Sequence, residues 1–286
     1  MTAVRLPSSA LDRIRLHGQA LSPSLRRVAE FVVQHAETVV HQTITELASS
    51  VGVGEATITR LCHKLEFAGF HAFKIALASD VAGRGQAHAT TGRATGEDAP
   101  SFATRLVRQT TRTLEDTARL ADPVLLDTVA RQMARAPRID LTGQGNSGLV
   151  AQYFAHRLMR IGLSATTYTD PHLAAVSIST LPRAGVVVAL SSSGGTIDTV
   201  QHLKLAQAHG HYTVAITHHA SSPVTRYASA VLFTAAQEDP LTDKVLDTLT
   251  SQTLLLELLY AQLLTHRPES HAMLRVTAES VVDKKY

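Results

Sequence analysis

An apolar run, Val186-Val187-Val188-Ala189-Leu190, opens directly onto Ser191-Ser192-Ser193-Gly194-Gly195-Thr196, and a stretch with periodic Ile197, Val200, Leu203, Leu205 and Ala206 follows. The run reads as a buried parallel strand and the periodic stretch as a helix. A turn of this kind points backbone N–H groups at one spot, and the helix dipole favours an anion there. Hydroxyl groups add neutral donors, and glycine lets a ligand approach the backbone closely. The chemistry suited to the turn is holding a phosphate. The Gly-Lys-Ser/Thr of a nucleoside-triphosphate loop is absent, so phosphoryl transfer is not implied. A polar loop that only caps a helix has the same composition.

The pattern around this unit extends the reading. From Arg138 onward, strand candidates alternate with helical stretches: Ile139–Thr142, Ala165–Tyr168, Val186–Leu190, Thr213–Thr217 and Ala230–Phe233. Such alternation predicts a five-stranded, open parallel sheet with helices on both faces. Phe102 to Ala136 reads as helical, and so does Ser22 to about Ala82. Between them, Gly83 to Pro100 holds four glycines and almost no large apolar residue, the composition of a flexible linker. The 286 residues therefore divide into a helical domain (1–82), a linker (83–100) and an α/β domain (101–286).

Net charge is +3, too mild to argue for a nucleic-acid partner without a motif. A single cysteine, Cys62, excludes an intramolecular disulfide and fits a reducing cytoplasm. Residues Met1 to Leu21 lack a signal-peptide apolar core, and no apolar run is long enough for a bilayer. A cytoplasmic protein with no membrane partner is expected.

The motif is in the helical part. Ala48 precedes Gly52 by four positions and Ile58 follows it by six, the spacing of a helix-turn-helix. A small residue lets two helices cross closely and glycine supplies the turn. Leu47, Val53, Ile58 and Leu61 would fill the wedge. A second helix beginning near Glu55 would present Thr57, Thr59, Arg60, His63 and Lys64 to the phosphates and base edges of double-stranded operator DNA. Gly54 serves as its cap slightly less well than serine or threonine. Glu55 would repel phosphate while complementing the helix dipole. A helical hairpin used for dimerisation would show the same spacing.

Several segments carry a family resemblance. Leu21-Ser22-Pro23-Ser24-Leu25-Arg26-Arg27-Val28, Thr43–Ala48, Glu55–Leu65, Gly69-Phe70 and Phe73-Lys74 resemble the N-terminal domain of RpiR/MurR-type transcriptional regulators. Gly143-Gln144-Gly145-Asn146-Ser147, Ile161-Gly162, Asp170, the serine-rich loop, and Ile216-Thr217 with Ser222-Pro223 resemble the sugar isomerase (SIS) domain those regulators carry. The resemblance implies a homodimer or homotetramer that binds operator DNA and responds to a phosphosugar held in the SIS domain. It implies phosphate-binding roles for Ser147, Ser191, Ser193 and Thr196, with backbone help from Gly145, Ser192 and Gly195. Gly195 stands where such domains often carry an acidic residue, and the segment after Glu238 departs from the family pattern. Glu238 and His172 are candidates for the sugar hydroxyls; a solvated loop charge and a surface residue are their plainer readings.

Gly143–Gly148 also imitates a dinucleotide fingerprint, but the serine-rich loop is unexplained by it. Among the histidines, His202, His209, His211, His218 and His219 share one segment without ligand spacing, so neither a metal nor any other cofactor is expected. Cys62 reads as a packing residue. The leucine-rich stretch Leu249 to Leu264 reads as a buried helix, in part against another subunit. The rival to a regulator is a phosphosugar isomerase with an accessory domain. That enzyme needs a base and an acid beside the sugar, for which Glu238, His172 and His218 are the candidates.

Overall fold

The computed structural model describes residues 9–17, 21–89, 101–235, 245–280 and 282, in two compact units divided between Ser101 and Phe102.

The first unit is all helical: α1 (Ala10–His17), α2 (Pro23–Gln34), α3 (Ala36–Val39), α4 (Ile44–Val51), α5 (Glu55–Lys64) and α6 (Phe70–Ala89). Val28, Val32, Leu47, Ile58, Leu65, Phe73 and Leu77 form its fully buried centre. Helix α4 begins with a capping box. The Thr43 hydroxyl accepts from Glu46 N (3.1 Å), and the Glu46 carboxylate accepts from Thr43 N (2.8 Å). It ends at Gly52, whose φ of 72° is the left-handed cap that glycine adopts without strain. Helix α5 then starts from Gly54, which offers no side chain to its first turn. Arg13 closes the far side, donating to the Leu65 and Glu66 carbonyls (2.9 and 3.0 Å) and lying 4.4 Å over the Phe67 ring.

One expectation fails here. The linker composition begins at Gly83, yet α6 runs on to Ala89. Extending a helix already nucleated costs far less than starting one, so isolated glycines among better helix formers do not end it at once. Residues 90–100 of the linker lie outside the described residues.

The second unit runs α7 (Phe102–Leu120), α8 (Pro123–Arg135), β1 (Ile139–Gly143), α9 (Gly145–Arg160), β2 (Ala165–Thr167), α10 (Pro171–Ser179), β3 (Val186–Leu190), α11 (Ile197–Ala208), β4 (Tyr212–Thr217), β5 (Ala230–Phe233), α12 (Val245–His266) and α13 (Ser270–Glu279). The helical region before β1 is broken because Pro123 cannot continue a helix and the Asp122 carboxylate caps the next one through Val124 N (2.8 Å).

All five strands pair in parallel in the order β2-β1-β3-β4-β5. The order in which strands are added reverses between β1 and β3, so the loops leaving those two strands open on the crevice where such sheets bind ligands. Strand alternation separates two cores. Val186, Val188 and Leu190 face α8, α9 and α12, while Val187 and Ala189 face α10 and α11. The leucine-rich α12 is buried against α7, α8 and α9 of its own chain, which accounts for its apolar circumference. Asp140 on β1 ties the sheet edge together, accepting from Arg138 Nε (3.0 Å), Thr166 Oγ1 (2.9 Å) and Ser177 Oγ (2.6 Å). Among the described residues, no helix is long and apolar enough to cross a membrane.

Candidate functional site

Strand β3 ends at Leu190, and Ser191 leaves the sheet with its N–H still paired to Ile216 O (3.0 Å). The loop is then fixed from its neighbour. Thr217 Oγ1 and His218 N both donate to Ser192 O (3.0 and 3.1 Å), and Val224 N donates to Gly194 O (2.9 Å). Gly194 has φ 64°, and a Cβ there would lie 2.1 Å from Ser222 Oγ. Backbone conformation and space both demand glycine at that position. Gly195 is different: it is exposed, and no atom comes within 3.4 Å of a Cβ built there. Thr196 stands at the N-cap of α11, but its side chain does not cap the helix. Its hydroxyl accepts from Ser191 Oγ instead (3.2 Å). The first-turn amides of α11 therefore have no side-chain partner from Thr196 and present the positive end of the helix dipole.

A second strand-to-helix turn arrives beside the first. Gly143 ends β1, and a Cβ on it would meet Ser147 carbonyl atoms at 3.0 Å and Leu190 O at 3.1 Å. A Cβ on Gly148 would meet Gly143 O at 2.8 Å. This tight packing draws the start of α9, with Gly145 at φ 55°, against the end of β1. Gln144 at the α9 N-cap makes no side-chain cap. The two turns are joined through α12. The Gln252 amide nitrogen donates to Ser147 Oγ at 3.1 Å and to Ser192 Oγ at 3.2 Å, with Gln252 fully buried.

His202 braces the other side. Its Nε2 donates to Pro171 O (2.9 Å), because a carbonyl only accepts, and its Nδ1 pairs with Thr142 Oγ1 (2.7 Å). The start of α10 is thereby held to the end of β1. His218, just past β4, pairs through Nδ1 with Thr234 Oγ1. Burial pushes its pKa down to about 4, aided by the neighbouring His219. It is neutral at physiological pH.

In the first unit, α5 exposes Ala56, Arg60, His63 and Lys64, with Thr59 partly exposed. The Thr59 hydroxyl bonds back to Glu55 O (3.2 Å). Glu55 accepts from the Thr45 hydroxyl at the start of α4, so its carboxylate links the two helices of the motif. Arg27 reaches from α2 to the turn, donating to Gly52 O (3.2 Å). Cys62 is buried, and desolvation pushes its thiol up to about 12, consistent with a packing role and no reactivity.

Two family models match in this order along the chain: the helix-turn-helix domain of the rpiR family over residues 8–84 and the SIS domain over 132–262. An uncharacterised HTH-type transcriptional regulator of Haemophilus influenzae is 31% identical over 258 residues, 89% of this chain and 90% of that protein. The chain belongs to the RpiR family of HTH-type transcriptional regulators. A solved structure, the NanR protein of Vibrio vulnificus complexed with ManNAc-6P, matches with a TM-score of 0.84 and 31% identity. It covers 97% of this chain and 99% of NanR. The sugar isomerase domain of an RpiR transcription factor from Sphaerobacter thermophilus shares the fold, with a TM-score of 0.58 and 22% identity over 63% of this chain and 99% of that one.

Within this family frame, the structure gathers some of the expected residues and not others. Gln252 joins Ser147 to Ser192, and Ser191, next along the same loop, pairs separately with Thr196. Ser193 sits on the same loop, but its hydroxyl accepts from Gly195 N (3.3 Å), occupying an amide expected to face a ligand. His172 is exposed on the second residue of α10. Glu238 lies outside the described residues. Thr57 requires a correction: it is 8% exposed and does not face outward. It accepts instead from Arg60 Nη2 (3.1 Å), because the helix turns its side chain toward the α4–α5 wedge. Sequence reasoning missed Gln252, Thr142 and His202. Gln252 carried a visible signal, a lone amide on the apolar side of a leucine-rich helix.

Proposed function

We propose that this regulator binds double-stranded operator DNA through α5 and senses a phosphosugar in its α/β domain. Two helix starts that no side chain caps, α9 and α11, bring Ser147 and the Ser191–Thr196 loop to a single place, and this convergence carries the reading. Backbone amides, hydroxyls and two dipoles suit a phosphate group without a bound cation. NanR, solved with ManNAc-6P, supports an amino-sugar or hexose phosphate as the class of effector. Arg60 and Lys64 are the DNA-facing cations, with His63 and Thr59 beside them. His172 and Glu238 are assigned to the sugar rather than the phosphate.

The helical domain begins the chain and reads one half-site per copy, so a homodimer or homotetramer is required to span an operator. The effector shifts operator binding only to the extent that it favours one arrangement of the oligomer. No catalytic turnover is assigned. His218 is held at a pKa near 4 with one ring nitrogen committed to Thr234, which makes it a weak base at neutral pH. The isomerases that share the fold do so at identities too low to carry their activity.

The test combines a gel shift on the chain's own upstream DNA with calorimetry against hexose and hexosamine 6-phosphates, ManNAc-6P first. Saturable binding of one phosphosugar that changes DNA affinity, with no isomerised product, is the expected result. Isomerised product with no DNA shift would establish the enzyme instead.

A further inference from the structure

The two hydroxyls that Gln252 joins have one proton each, and where those protons go decides what the site can hold. Ser147 Oγ and Ser192 Oγ both accept from the same amide nitrogen, at 3.1 and 3.2 Å. An oxygen accepting there keeps its own proton for another partner. Ser147 and Gln252 are buried, at 6% and 0% exposure. The Gln252 carbonyl oxygen is buried and has no hydrogen-bond partner among the described residues. Turned over, the amide would take both serine protons on that oxygen and leave its nitrogen unpaired. Either way one amide atom is orphaned, so the protein does not choose the orientation by satisfying the amide. An anion that accepts from both hydroxyls does choose it.

We propose that Gln252 is a positioning residue that sets the proton polarity of the phosphate site: by donating to Ser147 and Ser192 it turns both hydroxyl protons toward the ligand. This rests on the reading of the two loops as a phosphate site. It makes the site a collector of donors, matched to a phosphate monoester dianion, which only accepts and whose charge strengthens each bond; a neutral sugar hydroxyl can accept there too, but without that charge. It also gives α12 a role in recognition, since the one helix supplies the donor that both loops share. A ligand seated on Ser147 and Ser192 is therefore felt at Gln252, in the middle of the leucine-rich helix.

The experiment uses the full-length protein with ManNAc-6P and inorganic phosphate as probes, followed by calorimetry and by thermal midpoint. Gln252→Glu presents only acceptors and draws both serine protons away from the ligand. Gln252→Met keeps the shape and removes the hydrogen bonds. Each should weaken binding about tenfold or more. As pH falls from about 8 to about 5.5, the glutamate regains a proton and can donate, so its affinity relative to wild type should recover. The methionine variant, measured the same way, should stay flat. Ser147→Ala with Ser192→Ala should match the loss in Gln252→Met, and adding Gln252→Met to that pair should cost little more.

Wild-type affinity in both Gln252 variants, or in the paired serine variant, overturns the inference and leaves the phosphate site standing. Equal loss in both Gln252 variants with no pH recovery overturns the polarity claim and reduces Gln252 to packing. Should Gln252→Met fail to fold, the paired serine variant and Gln252→Glu decide the matter. Absence of saturable binding by the wild type, or an unaffected Ser191→Ala/Ser193→Ala protein, overturns the site itself and with it the inference.

Discussion

Arg60 Nη2 donates to Thr57 Oγ1 at 3.1 Å, one turn back along α5. The exposed guanidinium is thus held by a buried hydroxyl, and a long flexible side chain loses rotamer freedom before it meets DNA. Arg60→Ala should weaken operator binding by about 1–3 kcal/mol if the guanidinium reads a base, with relaxed preference at one position. Thr57→Val should keep the fold and weaken binding by less, since it frees Arg60 without removing it. Fluorescence anisotropy on operator and scrambled duplexes separates the two. Equal affinity for both variants and wild type would remove α5 from the interface.

The adjacent glycines of the serine-rich loop should respond oppositely to alanine. At Gly194 the added methyl meets Ser222 Oγ at 2.1 Å and Ser222 Cβ at 2.5 Å, and φ is 64°. The backbone term alone costs about 1 kcal/mol, and the clash with a buried residue adds about 1–3 kcal/mol. At Gly195 the nearest atom to an added methyl is Ser193 Oγ at 3.8 Å, an ordinary contact, and φ is not positive, so alanine should fall within about 0.5 kcal/mol of wild type. Urea melts of the two variants check this. A Gly194→Ala protein as stable as Gly195→Ala would contradict the close approach of the loop to Ser222.

Much of this architecture was legible in the chain, for physical reasons. Val186–Leu190 forms a strand with the bounds its apolar run suggested, because a strand covered on both faces has no polar position to blur its ends; Ala230–Phe233 keeps its bounds too, though only Ala230 and Leu232 are buried. The α4–α5 turn was legible from Gly52, whose φ only glycine adopts freely. The break at Asp122–Pro123 and the continuation of α6 past Gly83 were overlooked, since both depend on how local propensities add over several residues. At the site, the loop serines announced themselves by their clustering. What Gln252 and His202 hold together was not legible, because their partners lie 31 or more residues away in the chain and only the fold brings them near. Thr57 was misplaced because a helix beginning at Glu55 leaves its third residue between faces, and packing against α4 settled the matter.

His218 should give the protein an acid-sensitive step. Burial holds its folded pKa near 4, below the unfolded value of about 6.5. Between those values the unfolded chain binds the proton and the folded chain does not, so stability rises with pH. The contribution is complete above about pH 6.5 and is lost as pH falls toward 4, to a total of about 3 kcal/mol. His218→Asn, which can still pair with Thr234, should flatten this part of the profile. Denaturant melts at several pH values compare the slopes. Parallel profiles for variant and wild type would mean that the buried ring takes up its proton without penalty.

The final expectation concerns Ser191 and Ser193, which differ in what the fold asks of them. Ser191 is 2% exposed and donates to Thr196 Oγ1 (3.2 Å), so its loss removes an internal bond as well as a ligand contact. Ser193 is only partly buried and accepts from Gly195 N (3.3 Å). Its loss returns that amide to the site. Ser191→Ala should therefore lower stability by about 1 kcal/mol, and Ser193→Ala by less. Toward a phosphosugar, each hydroxyl donating to a charged group contributes about 1.5–3 kcal/mol, so the double variant should bind several hundredfold more weakly or worse. Operator binding without effector should survive, because Arg60 and Lys64 lie in the other domain. Calorimetry with ManNAc-6P and a gel shift without ligand, on the same preparation, read the two properties separately. Retained phosphosugar affinity in the double variant would reduce the serine-rich loop to the start of a helix and place the effector elsewhere.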